Sequence, residues 1–282
     1  LRLHYVDWGN PDAPPMILIH GGRDHCRNWD WVAEQFRDDY HIIAPDLRGH
    51  GDSQWMVGGA YSQIDYVYDI AQLLLQKQMS PVTVIGHSLG GSISLLYTAL
   101  HAANVKKLVA IEGMGPPPSM IAERFNQPAE KRLHNWFSDL RKSSARIVKR
   151  YPTLEDAFQR MQTENPHLSE EQARHLTIHG SNQNEDGTFS WKFDNYVRNF
   201  SPIGIPFDDM TKLYADITCP TLLVRGLESW ASDPVADGRT KAFNCPVEVV
   251  AFANAGHWVH HDQLDGFVER VKEFLTDEQT TG

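Results

Sequence analysis

Apolar positions along this chain fall into short continuous runs separated by amphipathic stretches. Met16-Ile17-Leu18-Ile19, His41 to Ala44, Val82 to Ile85, Lys107 to Ile111, Thr221 to Val224 and Val247 to Phe252 read as strands, the continuous run at 16–19 and the short one at 41–44 being the mark of buried strands. Leu1 to Trp8 alternates apolar and polar side chains, as an edge strand with one covered face does. Between these runs, apolar residues recur at helical spacing. Trp29, Val32, Ala33 and Phe36 mark one helix, Ile64 to Gln78 another, Ile93 to Leu100 a third, and Leu264, Phe267, Val268, Val271 and Phe274 the last. Strands alternating with helices predict an α/β fold: a mostly parallel, twisted sheet flanked by helices and joined by right-handed crossovers.

The texture changes between residues 114 and 215. Pro116-Pro117-Pro118 is followed by polar helical stretches over 130–150, 154–163 and 169–179 and by a turn at Asn184-Glu185-Asp186-Gly187, with no buried run among them. The expected organisation is therefore a core domain made of residues 1–113 and 216–282, with residues 114–215 as an inserted helical cap.

The 282 residues, 41% of them hydrophobic, are enough for a large core. A formal net charge of -10 argues against nucleic acid and anionic membrane surfaces as partners. Three cysteines, Cys26, Cys219 and Cys245, are too few for a disulfide framework and suit a reducing compartment. No apolar run approaches the ~18 residues of a membrane span. The expected compartment is cytoplasmic; the chain starts at Leu1 rather than methionine, which leaves a removed leader open.

Chemistry concentrates where the strands end. Ligands of open α/β sheets bind at the carboxyl ends of the strands, and each polar cluster of the main pattern follows a strand. Gly86-His87-Ser88-Leu89-Gly90 joins the run at 82–85 to the next helix and has the form of a nucleophile elbow. Small residues two positions either side of Ser88 allow strand and helix to approach closely around a strained turn. A serine hydroxyl needs a base to take its proton. His257, in Gly256-His257-Trp258 after the last strand, is the candidate, because an imidazole titrates near neutrality. An oxyanion needs donors already in place. The N–H groups of Leu89 and of Gly22, in His20-Gly21-Gly22, are placed to supply them.

The succession His20-Gly21-Gly22, Asp46-Leu47-Arg48-Gly49-His50-Gly51-Asp52-Ser53, Gly86-His87-Ser88-Leu89-Gly90-Gly91 and Gly256-His257 resembles the α/β-hydrolase superfamily. The resemblance spans nearly the whole chain outside the insertion. It implies a Ser–His–acid triad, an oxyanion hole from Gly22 and Leu89, a helical cap, and a structural role for the loop from Asp46 to Ser53. A serine at the elbow argues against the haloalkane dehalogenase and epoxide hydrolase branches, which use an aspartate there.

The sequence departs from that pattern at the acid. Most of the superfamily carries a G-x-x-D after the strand here at 221–225, whereas this chain reads Gly226-Leu227-Glu228-Ser229. Glu112, after the preceding strand, occupies the alternative position used by a minority, and is taken as the acid, with Glu228 as the alternative. Trp136, Trp191, Phe193 and Trp258 are candidates for the substrate pocket. His257, His260 and His261 have chelating spacing without further ligands around them, so no metal is expected, nor any cofactor.

The expected function is that of a serine hydrolase of the carboxylesterase type, acting on a small or medium ester through an acyl-enzyme. Two alternatives stay open. One is a C–C bond hydrolase of the meta-cleavage type, which Gly256-His257-Trp258 resembles although His20-Gly21-Gly22-Arg23 lacks that family's glycine-proline-glycine loop. The other is a non-catalytic ligand receptor on the same fold.

Overall fold

The computed structural model describes residues 1–57, 61–199, 201–202 and 204–277. In chain order, β1 (Tyr5–Asp7), β2 (Pro15–Ile19), α1 (Asp30–Phe36), β3 (His41–Pro45), α2 (Gln63–Lys77), β4 (Val82–His87), α3 (Leu89–Leu100) and β5 (Val105–Ile111) form the first part. Then come α4 (Pro118–Phe125), α5 (Ala129–Ala145), α6 (Leu154–Glu164), α7 (Glu170–Gly180), β6 (Ser181–Gln183), β7 (Phe189–Trp191) and α8 (Phe207–Tyr214). The chain closes with β8 (Thr221–Gly226), β9 (Val247–Phe252), α9 (Val259–Asp262) and α10 (Leu264–Thr276).

The main sheet has seven strands in the order β1-β3-β2-β4-β5-β8-β9, all parallel except β1. The inner strands β2, β3, β4, β5 and β8 bury both faces because successive side chains point to opposite sides, whereas β9, likewise read as a strand, lies at the sheet edge and is only half-buried. Ile17 and Ile19 of β2 join Ile70, Leu74, Ile93 and Leu96 from α2 and α3, while Met16 and Leu18 join Trp29, Phe36, Phe267 and Phe274 beside α1 and α10. Each such side chain contributes roughly 1.5–3 kcal/mol on burial.

Two local outcomes differ from the pattern of the chain. The alternation from Leu1 to Trp8 becomes a strand only over Tyr5–Asp7, which pairs with Ile43 to Pro45 at the end of β3. Its flank instead follows the next loop, where Asp46 and Gln54 donate their N–H groups to the carbonyls of His4 and Arg2 at 2.9 and 3.0 Å. The helical stretch expected to reach 150 stops at Ala145. Arg146 turns extended there, its carbonyl accepting the Asn195 side chain at 3.1 Å.

The stretch between β5 and β8 holds the remaining helices and a small antiparallel hairpin, β6–β7, closed by the turn at Asn184 to Gly187. α6 and α7 each start at a capping box, Thr153 with Asp156 and Ser169 with Gln172. They enclose a small core of Phe158, Leu168, Ala173 and Leu176, against which Trp258 of the main body packs. α8 lies against α3, and its Tyr214 stacks on Phe243 with ring centroids 5.2 Å apart. Among the described residues no helix is long and apolar enough to cross a membrane.

Candidate active site

Gly22, Ser88, Glu112, Ser229 and His257 all lie just beyond the carboxyl ends of β2, β4, β5, β8 and β9, which are consecutive neighbours in the sheet. Sheet pairing carries on one residue past the strands. The Ser88 N–H donates to Ile111 and the Glu112 N–H to Val224, both at 2.8 Å. Side chains distant in sequence are thus set within one strand spacing of each other, about 4.8 Å.

Ser88 sits at φ 52°, ψ -114°, immediately before the first turn of α3. A non-glycine residue held there stores on the order of 1–3 kcal/mol of strain. The flanking glycines explain how the turn closes. A Cβ on Gly86 would collide with the Ser94 hydroxyl and the Gly90 carbonyl, and one on Gly90 with the carbonyls of Ile19 and His20. The Ser88 hydroxyl lies 2.8 Å from His257 Nε2, within hydrogen-bond reach. The N–H of Leu89 opens α3, where partial positive charge accumulates. Among the described residues, the N–H groups of both Leu89 and Gly22 have no acceptor, and Gly22 lies alongside the Leu89 side chain.

Glu112 also adopts a positive φ, 54°, which turns its fully buried carboxylate under the His257 loop. One oxygen accepts the Gly226 N–H at 2.7 Å. The other accepts the Ser229 hydroxyl at 2.6 Å and lies 3.4 Å from His257 Nδ1. Glu228 is elsewhere, exposed and 3.5 Å from His167. Of the two carboxylates considered from the sequence, the fold brings Glu112 to the histidine and leaves Glu228 outside.

His87 had no role in the sequence beyond a variable position of the elbow motif. It is buried, and its Nε2–H donates to the carbonyl of His257 at 2.8 Å, tying the loop that carries His257 to the end of β4. Burial, with the neighbouring His257 second, holds its pKa well below the usual imidazole range, so the ring is neutral and has a single N–H to give. Gly21 accommodates that ring, since a Cβ there would come within 2.9 Å of His87 Nδ1. Trp230, which carries no motif, lies exposed with its ring 4.9 Å from that of His257. An isolated exposed aromatic leaves no pattern in a sequence, so nothing there pointed to it.

The aromatic candidates disperse. Trp136 pairs with Phe137 at 5.4 Å between ring centroids, and Trp191 gives its indole N–H to the Tyr151 hydroxyl at 3.1 Å. Both sets of contacts stay inside the inserted segment. Phe193 makes an isolated bridge to His50 and lies under the Arg198 guanidinium. Trp258 is next to His257 in sequence but turns towards His261 and the α6–α7 core.

The loop after β3 is held by Asp46. Its carboxylate accepts the N–H groups of Cys26 and Asp52 at 2.7 and 2.9 Å and pairs with His4 at 2.7 Å. His4, Cys26 and Asp46 are the one group among the described residues whose ligand atoms lie close enough, within 4.8 Å, to hold a metal ion. The acceptor oxygens of Asp46 are already occupied, and burial pushes the Cys26 thiol pKa far up, away from the thiolate a metal needs. His260 of the chelating trio bonds instead to the Asn28 side-chain oxygen at 2.8 Å.

Comparison with known proteins agrees with this architecture. Residues 14–264 match the family model of the alpha/beta hydrolase fold. An esterase of Mycobacterium tuberculosis is 27% identical over 276 residues, spanning 95% of this chain and 84% of its own. Epoxide hydrolase 4 of Mus musculus is 25% identical over 292 residues, spanning 99% of this chain and 77% of its own. The thioesterase domain from the curacin biosynthetic pathway superposes with a TM-score of 0.83 at 23% identity, covering 96% of this chain and 95% of that one. With its strand-end serine, histidine and carboxylate on a seven-stranded sheet, the chain belongs to the α/β-hydrolase fold family.

Proposed function

We propose that this hydrolase cleaves a carboxylic ester through a covalent acyl-enzyme, with residues 114–215 acting as a cap over the site. The observation that carries the reading is the 2.8 Å contact between the Ser88 hydroxyl and His257 Nε2 at a strained elbow. Ser88 Oγ attacks the ester carbonyl while His257 Nε2 takes its proton. The oxyanion that forms is held by the N–H groups of Gly22 and Leu89. His257 then passes the proton to the leaving alkoxide, and the acyl group stays on Ser88. Water repeats the sequence, releasing the acid and restoring the serine. Glu112 orients the ring through Nδ1 and stabilises the imidazolium, and the Ser229 hydroxyl fixes the carboxylate oxygen that does so. Glycines at the strand ends let all of this be assembled from main chain and short side chains.

The epoxide hydrolase relatives do not extend to this chemistry, because their route needs a carboxylate at the elbow and Ser88 offers none. The esterase relative and the thioesterase fold neighbour make oxygen esters the first substrates to try and thioesters the second.

The test is covalent labelling followed by turnover. An organophosphate or sulfonyl fluoride is expected to add once, on the peptide holding Gly86 to Gly90, and to abolish hydrolysis of a simple aryl ester. Labelling unchanged in Ser88→Ala would overturn the assignment and favour a ligand receptor. Faster turnover of a dienoate than of the aryl ester would instead place the enzyme among C–C hydrolases.

A further inference from the structure

We infer that this site takes esters of an apolar, ring-bearing alcohol, and that Trp230 is the residue that receives the alcohol group. The inference deepens the hydrolase reading above and rests on it for the direction in which the ester lies. Trp230 is 61% exposed, yet its indole stands 4.9 Å from the His257 imidazole between ring centroids, with the two planes inclined by 35°. Of the large exposed apolar side chains among the described residues, it is the one with a ring contact to Ser88, His257 or Glu112. Single exposed aromatics are common on protein surfaces. This one is set apart by how its turn is held. The Glu228 N–H donates to the Ala255 carbonyl at 3.0 Å, and the Ser229 hydroxyl donates to the Glu112 carboxylate at 2.6 Å. The Ala231 N–H donates back to the Ser229 hydroxyl at 3.2 Å, and Ala231 itself is buried. The Ser232 N–H donates to the Gly115 carbonyl at 3.3 Å, while its hydroxyl donates to Asp237 at 2.8 Å. The indole therefore projects from main chain that is fixed on both sides, on one of them by the carboxylate that faces His257. Such a turn has little freedom left to lose when a ligand covers the ring.

The chemistry decides which half of the ester meets this ring. His257 Nε2, 2.8 Å from the Ser88 hydroxyl, takes the serine proton and then gives it to the leaving alkoxide. The leaving oxygen must therefore come within hydrogen-bond reach of that nitrogen. The carbonyl oxygen is held elsewhere, by the N–H groups of Gly22 and Leu89. In the sheet, Gly22 follows β2 on one side of β4, whereas Trp230 follows β8 on the other. The substituent on the leaving oxygen thus starts beside His257, on the side of Trp230. A methyl group there leaves the indole in water. A benzyl group covers it, which removes apolar area from solvent and adds a ring-on-ring contact.

The test compares methyl butyrate with benzyl butyrate, which form the same butyryl-Ser88 and release alcohols of nearly equal acidity. In the wild type, kcat/KM is expected to be about tenfold or more higher for the benzyl ester. That ratio should fall towards unity in Trp230→Ala and return in part in Trp230→Phe, while the ratio between benzyl acetate and benzyl hexanoate, which differ in the acyl half, is kept. Acyl transfer gives a second readout. Added benzyl alcohol attacks the butyryl-Ser88 carbonyl as His257 takes its proton. Ser88 Oγ then leaves and regains that proton, and benzyl butyrate forms in place of butyric acid. Trp230→Ala should lower transfer to benzyl alcohol relative to methanol by the same factor, whereas loss of a merely structural residue would slow both alike. Equal kcat/KM for the two butyrates in the wild type would overturn the inference. So would a preference that survives Trp230→Ala, or a loss that follows the acyl chain instead. Each of these outcomes leaves Ser88 turning over esters, and the hydrolase reading stands. No turnover of either butyrate would also overturn the inference, and covalent labelling of Ser88 then decides the hydrolase reading separately.

Discussion

Glu112 and Glu228 differ in surroundings, not in chemistry. The carboxylate of Glu112 is buried, takes the Gly226 N–H and the Ser229 hydroxyl, and faces His257 Nδ1 at 3.4 Å. That of Glu228 is about half exposed, at 52%, and faces His167. An amide in place of the triad carboxylate favours the wrong histidine tautomer, so Glu112→Gln is expected to lower kcat by ~10⁴, the loss known for such a change in a serine protease. Glu228→Gln removes a peripheral ion pair and should cost ~10-fold or less. Ser229 adds a sharper prediction, since it stands where most of the family carries its aspartate, with its hydroxyl 3.5 Å from His257 Nδ1. Ser229→Asp in the Glu112→Gln background should regain ~10²-fold, because a carboxylate then reaches the ring from the other strand. Steady-state ester hydrolysis of variants shown folded by circular dichroism checks all three. A Glu228→Gln loss larger than that of Glu112→Gln would reverse the assignment.

At the level of elements, the elbow works because β2, β4 and α3 touch main chain to main chain. The Cβ of alanine at Gly90 would overlap the carbonyls of Ile19 and His20, main-chain groups at and just past the end of β2 that cannot swing aside. Gly90→Ala is therefore expected to lower stability by ~2–3 kcal/mol, as overpacking does. Gly22→Ala meets nothing nearer than 3.8 Å and should fold as the parent does. Urea midpoints at unchanged m-value measure the difference, and equal midpoints for the two variants would refute this account of the elbow. The small glycines of the motif could be read in the sequence as a demand for close approach. Which carbonyls they approach depends on β2 and β4 lying side by side, although 62 residues separate Ile19 and Val82 and the pairing of the strands is a property of the sheet.

The whole molecule is built to be sensitive to acid. Burial pushes His25 and His50 down to about 4 and His20 and His261 to about 3, and holds His87 and His260 well below their usual range. The unfolded chain protonates these rings near pH 6.5, whereas the folded chain resists until pH 4 or lower. Their contribution to stability is thus lost as pH falls below 6.5, by about 1.4 kcal/mol per histidine per pH unit across that window. Asp24, pushed up to about 7 by burial, has the opposite sign: its contribution is full below its unfolded value and fades as pH rises through 7. Asp262, raised by burial, and His4, raised by its hydrogen bond to Asp46, share that sign, and three such groups against six rings leave a net loss on acidification. The melting temperature is expected to fall between pH 7.5 and 5.5, and to fall more steeply in Asp24→Asn, where one opposing group is gone. A melting temperature level across that range in the parent protein would contradict the buried-neutral state of these rings.

The sequence alone carried the alternation of strands and helices, the elbow around Ser88, and His257 as the residue after the last strand, because these are local patterns: period, small residues, and side-chain type at a strand end. It also narrowed the acid to two glutamates. Its G-x-x-D position, empty of aspartate, favoured Glu112 over Glu228, whereas the left-handed turn at Glu112 and the pairing of β5 with β8, by which Ser229 and Gly226 close around its carboxylate, belong to the tertiary structure. The grip of His87 on the His257 loop, 170 residues away, was equally out of reach. Contacts of that kind are decided by which strand ends the sheet sets side by side, and that leaves no periodic trace along the chain.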